Sequence, residues 1–147
     1  MKYTCEIEIN QPVNKVIELF DNADNLTQWM EGLESFEHLS GEPGQPGAKS
    51  LLKFKMGNRK MEMTETITVR NLPEDFSGYY EMDGMVNHIK NSFSALSENK
   101  TRYVTENEFV IKKNLFMKIF AFLMPGQFKK QSMKYLESFK KFAETQA

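Results

Sequence analysis

The 147-residue sequence predicts a single α+β domain over residues 1–147, in which a curved antiparallel sheet of seven strands wraps one long C-terminal helix. Three observations carry this reading. Six extended segments follow one another with only short turns between them, so each lies antiparallel to its neighbour. Two short helical segments separate these six from an earlier strand. From Asn114 onward the apolar spacing changes from two residues to about 3.6 and stays there. The element order is therefore β-α-α-β6-α.

Residues 2–10 put Tyr3, Cys5, Ile7 and Ile9 on one face and Lys2, Thr4, Glu6 and Glu8 on the other, the pattern of a half-buried strand. Asn10-Gln11-Pro12 opens a short helix, because proline suits the first helical position. Val13, Val16, Ile17 and Phe20 have helical spacing, and the helix ends near Asp21-Asn22. A second short helix covers residues 24–30 and stops at Gly32. Residues 33–40 are extended. Gly41-Glu42-Pro43-Gly44-Gln45-Pro46-Gly47 can continue neither a strand nor a helix, so it is a loop between strands.

Residues 48–57 point Leu52, Phe54 and Met56 one way and Lys53 and Lys55 the other, before a turn at Gly57-Asn58. In the run 60–69, Met61, Met63, Glu65, Ile67 and Val69 are in phase, opposite Lys60, Glu62, Thr64, Thr66 and Thr68. Leu72-Pro73-Glu74 breaks that strand. Strands follow over 76–82, 86–96 and 101–111, with a hairpin signal at Asp83-Gly84 and a turn at Ser97-Glu98-Asn99-Lys100. Asn114 is a candidate helix cap. Leu115, Phe116, Ile119, Phe120, Phe122 and Leu123 are apolar nearly all round, which predicts burial on several sides. Met124-Pro125-Gly126 is expected to kink or interrupt the helix. Beyond it Ser132, Leu136, Phe139 and Ala143 share one face. Lys129, Lys130, Lys134, Lys140 and Lys141 lie largely off it and read as solvated surface.

Composition narrows the function. Lys plus Arg is 19 and Asp plus Glu is 20, a net charge of −1 without the basic excess of a nucleic-acid binder. The single cysteine, Cys5, allows no intrachain disulfide and no cysteine metal cluster, and it reads as core. The two histidines, His38 and His88, have no metal-ligand spacing, so neither a metal nor another cofactor is expected. Lys2 and Glu6 interrupt the N-terminus before any apolar run, unlike a signal peptide. Residues 115–124 contain Lys118 and make half a membrane span. The expectation is a cytoplasmic protein without stable membrane insertion, monomer or weak dimer. No glycine-rich dinucleotide or phosphate loop and no nucleophile elbow occurs, so hydride transfer, phosphoryl transfer and acyl-enzyme chemistry lack support.

The chain holds 12 Phe and 10 Met. Such residues build an ordinary core, or the adaptable wall of a pocket. A sheet that curls around one helix does not close on it everywhere, and the space left is a cavity. Candidate lining residues are Trp29, Phe54, Met56, Met61, Met63, Glu65, Tyr80, Met82, Ile89, Asn91, Phe93, Tyr103, Phe116, Phe120 and Met124. Glu65 stands out as a carboxylate in phase with an apolar face, a costly position unless it is paired or hydrogen-bonded. In a pocket its pKa rises, which suits a general acid or base. A bulge, a place at the cavity mouth or an arginine partner would also account for it. Asn87, Ile89, Asn91 and Phe93 form the more apolar face of their strand, which leaves His88 outside. One bulge would reverse that assignment. Tyr79, Tyr80 and Tyr103 either pack or place a phenol in the pocket.

Several segments together resemble the START-like superfamily, also called the Bet v 1-like or SRPBCC proteins, across essentially the whole chain. Ile7-Glu8-Ile9-Asn10-Gln11-Pro12-Val13-Asn14-Lys15-Val16 is similar to that superfamily's strand, proline and short helix. Leu26-Thr27-Gln28-Trp29-Met30 resembles its tryptophan-bearing helix before the second strand. Gly41-Glu42-Pro43-Gly44-Gln45-Pro46-Gly47-Ala48 resembles its glycine-rich hairpin, and Asn99-Lys100-Thr101-Arg102-Tyr103-Val104-Thr105 the start of its last strand. Leu136-Glu137-Ser138-Phe139-Lys140-Lys141-Phe142-Ala143-Glu144 resembles the end of its long helix. The resemblance implies the helix-grip fold and points to small bacterial members described as polyketide cyclase or dehydrase-like. It implies a small hydrophobic, lipid-like or aromatic partner held between sheet and helix. A cyclase or dehydratase acting on a polyketide-like substrate, or a protein-interaction module, are the alternatives.

Overall fold

A computed structural model describes residues 1–112, 114 and 126–147. Its elements are β1 (Lys2–Ile9), α1 (Val13–Phe20), a 3₁₀ turn (Ala23–Asn25), α2 (Leu26–Trp29), β2 (Leu33–Ser40), β3 (Lys49–Met56), β4 (Arg59–Asn71), β5 (Asp75–Met82), β6 (Met85–Ser97), β7 (Lys100–Ile111) and α3 (Gly126–Glu144). The strands form one antiparallel sheet in the order β1-β7-β6-β5-β4-β3-β2. Strands β2 to β7 are a meander, as short turns require. The two helices after β1 carry the chain across the concave face, so β1 joins the far edge, with Ile7 opposite Tyr103. The segment 115–125 lies outside the described residues, and with it the readings made for Phe116, Phe120, Met124 and the Pro125 kink. Gly126 opens α3.

Helix α3 is fixed along the β1 side of the concave face. Phe139 and Ala143 are fully buried and Leu136 nearly so, as the helical spacing predicts. Tyr3 Oη and Ser132 Oγ lie 2.7 Å apart. The Gln11 amide donates to the carbonyls of Ala143 at 2.9 Å and Gln146 at 2.8 Å. Lys140 Nζ donates to the Glu8 carbonyl at 2.6 Å. Lys129, Lys130, Lys134 and Lys141 stay exposed. The main core gathers around Phe139, whose ring meets Trp29 at 5.0 Å, Tyr103 at 5.8 Å and Phe20 at 5.9 Å, mostly edge to face. That geometry suits the aromatic quadrupoles. A smaller cluster of Leu33, Leu52 and Phe54 sits under β2 and β3. Among the described residues, the two clusters leave the middle of the concave face, over β4 to β6, without a helix pressed flat on it.

Strand β4 corrects the simple alternation read from the sequence. A bulge lies between Ile67 and Val69, which pair with Gly78 and Ser77 of β5. One extra residue shifts the phase, so every side chain beyond it changes face. Val69, expected on the inner face, is 39% exposed. Arg70 turns inward in its place and reaches Asp21 at the end of α1 through two hydrogen bonds of 2.8 and 2.6 Å. Glu65 precedes the bulge and keeps its inward phase. On β6 no irregularity occurs before Ala95, so Asn91 and Phe93 are buried and His88 is exposed beside Tyr79 on the outer face.

Candidate functional site

A cavity of about 510 Å³ opens between the concave sheet, α1, α2 and α3. Its walls are mainly apolar, with Phe20, Leu26, Trp29, Ile67, Phe76 and Leu136 among them. Room exists because the sheet presents small side chains where larger ones would fill it, namely Ser50, Ser77, Gly78 and Thr105. The partly exposed ion pair Arg70–Asp21 flanks the space, and Arg70 also donates to the Gly44 carbonyl at 3.1 Å. His38 lies at the same edge and donates through Nε2 to the Gly41 carbonyl at 2.7 Å.

Glu65 projects into this cavity. Tyr80, directly opposite it on β5, donates its hydroxyl to Glu65 Oε2 at 2.7 Å. Burial pushes the Glu65 carboxyl above its ordinary range, and the hydrogen bond from Tyr80 offsets part of that rise. Burial first, then the charge and hydrogen bond of Glu65, hold the Tyr80 phenol well above its usual value, with Tyr103 and Tyr135 adding smaller contributions. Glu65 is thus satisfied by a phenol, while Arg70 is engaged with Asp21 instead. Tyr103 donates to Asn91 Oδ1 at 2.8 Å, and Asn91 donates to the Phe76 carbonyl at 3.3 Å. Burial raises the Tyr103 phenol as well. Trp29 Nε1 is buried without a hydrogen-bond partner among the described residues.

Of the residues singled out in the sequence, Trp29, Glu65, Tyr80, Ile89, Asn91 and Tyr103 line the cavity. Phe54, Met56, Met61, Met63, Met82 and Phe93 stand elsewhere. Phe54 and Met63 pack into the β2–β3 cluster, and Phe93 stacks on Tyr103 at 4.6 Å within the main core. Met56 lies beside Gly32, Met61 is 38% exposed, and Met82 pairs with Met85 at the β5–β6 turn. Those four methionines lie near the β3–β4 and β5–β6 hairpins, whereas the cavity lies over the strand middles and takes Met30, just after α2, into its wall. Sequence reasoning missed Phe20, Ile67, Phe76 and Tyr135. Ile67 shares its phase with Glu65, and Phe76 with Tyr80, so period two alone was enough to find both. Arg70 carries no such signal, because its direction depends on the bulge.

This architecture is the helix-grip fold of START-like, Bet v 1-like proteins. Three solved structures similar to it are TTHA0849 from Thermus thermophilus, Ara h 8.0201 and the Zhui aromatase/cyclase from Streptomyces sp. R1128. The first has a TM-score of 0.79 at 16% identity, covering 97% of both chains. The second has 0.77 at 12%, covering 99% of both. The third has 0.77 at 11%, covering 98% of this chain and 93% of the other. At these identities the likeness establishes the fold alone. No protein-family model matches the chain, and no curated protein does. No helix among the described residues is long and apolar enough to cross a membrane.

Proposed function

We propose that this protein binds a small hydrophobic molecule, aromatic or lipid-like, in the chamber between the sheet and α3, within the cytoplasm. The observation that carries the reading is an apolar cavity of about 510 Å³ with a few polar groups converging on it. Apolar burial supplies affinity, at roughly 25 cal/mol per Å² before the costs of association. The Glu65–Tyr80 pair and Tyr103 orient the guest, and Trp29 offers a donor to a guest acceptor. A chamber left open among the described residues favours a guest over the interaction-module alternative, which calls for a filled core. The only tryptophan in the chain, Trp29, lines this chamber and serves as a built-in reporter. Titration with N-phenylnaphthylamine, a neutral apolar fluorophore, is expected to quench Trp29 by energy transfer and saturate at one probe per chain. A linear, unsaturable response would refute the binding reading.

One observation also favours an enzyme of the cyclase or dehydratase type. A carboxylate and a phenol, both buried, share a hydrogen bond, and such a pair can take a proton from one carbon and deliver one to a leaving oxygen. The Zhui protein of the same fold is an aromatase/cyclase. This reading predicts slow dehydration of an aromatic β-hydroxy ketone, with Glu65→Gln and Tyr80→Phe each lowering the rate at least tenfold. Rates equal to wild type in both variants would exclude the pair as catalyst.

A further inference from the structure

The cavity has an uneven charge balance that bears on its guest. Among the described residues its lining contains two carboxylates, Asp21 and Glu65, and one arginine, Arg70. Asp21 takes both hydrogen bonds of the Arg70 fork, so that pair is neutral as a unit. His38 stays at the edge with its Nε2 proton committed to Gly41. Glu65 is left as the one lining carboxylate without a cationic partner among the described residues. Tyr80 commits its only proton to Oε2. No described side chain donates to Oε1, and the Tyr80 oxygen retains acceptor capacity. Around Glu65 the polar surface is therefore rich in acceptors, and the free donor of the lining, Trp29 Nε1, is neutral.

An acceptor-rich apolar site discriminates by chemistry. A guest carboxylate placed there would bring more acceptors and a second negative charge into a poorly solvated space, with no free cation to meet it among the described residues. An ammonium brings three donors and the opposite charge, and the aromatic rings of Phe20, Trp29, Phe76 and Tyr103 around it favour a cation. Resting on the cavity reading above, we propose that the physiological guest is an aromatic molecule bearing a basic amine, held by Glu65 and the Tyr80 oxygen, and that anionic lipids such as fatty acids are rejected.

A matched pair of ligands tests this by isothermal titration calorimetry near pH 7. Naphthylethylamine and naphthylacetate share a ring system and differ in the sign of charge. The amine is expected to bind at least tenfold more tightly than the acid. Glu65→Gln should bring the two affinities within about threefold of each other. Tyr80→Phe keeps the carboxylate and should keep the amine preference, which leaves a test in hand where the Gln variant fails to fold. Equal binding of amine and acid by the wild type, or an unchanged preference in Glu65→Gln, overturns the assignment. If N-phenylnaphthylamine saturates the chamber but the acid equals the amine, only the charge selectivity fails. If none of the three binds, the cavity reading fails with it.

Discussion

Glu65 shows how a single side chain links sequence to chemistry. Its position in phase with Met61 and Met63 was visible in the chain, and the cost of an apolar setting followed from it. Its partner was not visible, because Tyr80 lies opposite only once β4 and β5 are paired in register. Tyr79 and Tyr80 look alike in sequence, yet one faces His88 on the outer surface and the other the cavity. Burial raises the Glu65 carboxyl in the native state. Between the ordinary carboxylate range and that raised value, the folded chain holds a proton that the unfolded chain has lost. Stability therefore falls as pH rises through this window, and above it the ionised group is a net cost to the fold. Glu65→Gln is expected to raise the melting temperature relative to wild type above neutrality, with a smaller difference at acidic pH. Melting curves of both proteins across pH settle the matter, and an offset that does not vary with pH would argue against a strained carboxylate.

At the scale of elements, the β4 bulge is the feature that shapes the site. It sends Val69 outward, brings Arg70 to Asp21 and presses the β4 backbone onto β5 at Gly78. A methyl group at Gly78 would stand 2.3 Å from the Thr66 carbonyl oxygen, and that backbone cannot give way without disturbing the ladder. Gly78→Ala is expected to destabilise the protein by about 1–3 kcal/mol, as overpacking does, and to weaken N-phenylnaphthylamine binding. Urea unfolding measures the first effect, and a variant as stable as wild type would show that the strands separate there at little cost. The strands themselves were legible, because turns such as Asp83-Gly84 and the run 41–47 punctuate them and alternation fills the intervals. The bulge was not, since Thr68 is an ordinary strand residue and nothing in its type marks an extra position. Hydrophobic spacing treats the second helix as one segment, whereas a 3₁₀ turn at Ala23–Asn25 precedes a single turn of α2, too fine a division for that signal to resolve.

For the whole molecule, the cavity follows from an imbalance between sheet and helix. Seven strands form one sheet that encloses more space than the described helices fill. The buried face of α3, Leu136, Phe139 and Ala143, is taken up on the β1 side. Small residues on the middle strands keep the other side open. The fold was legible from element order and from the helical spacing of Leu136, Phe139 and Ala143. The location of the space was only half legible, because the methionine-rich hairpin ends suggested a wall that the strand middles provide instead. Occupancy of that chamber is what the proposed function requires. The most direct measurement is the set of intermolecular nuclear Overhauser effects between N-phenylnaphthylamine and the methyl groups of the protein. Contacts to Leu26, Ile67, Ile89 and Leu136 are predicted, with none to the exposed methyls of Leu39, Leu96 or Val110. Contacts confined to the exposed set would contradict an internal binding chamber.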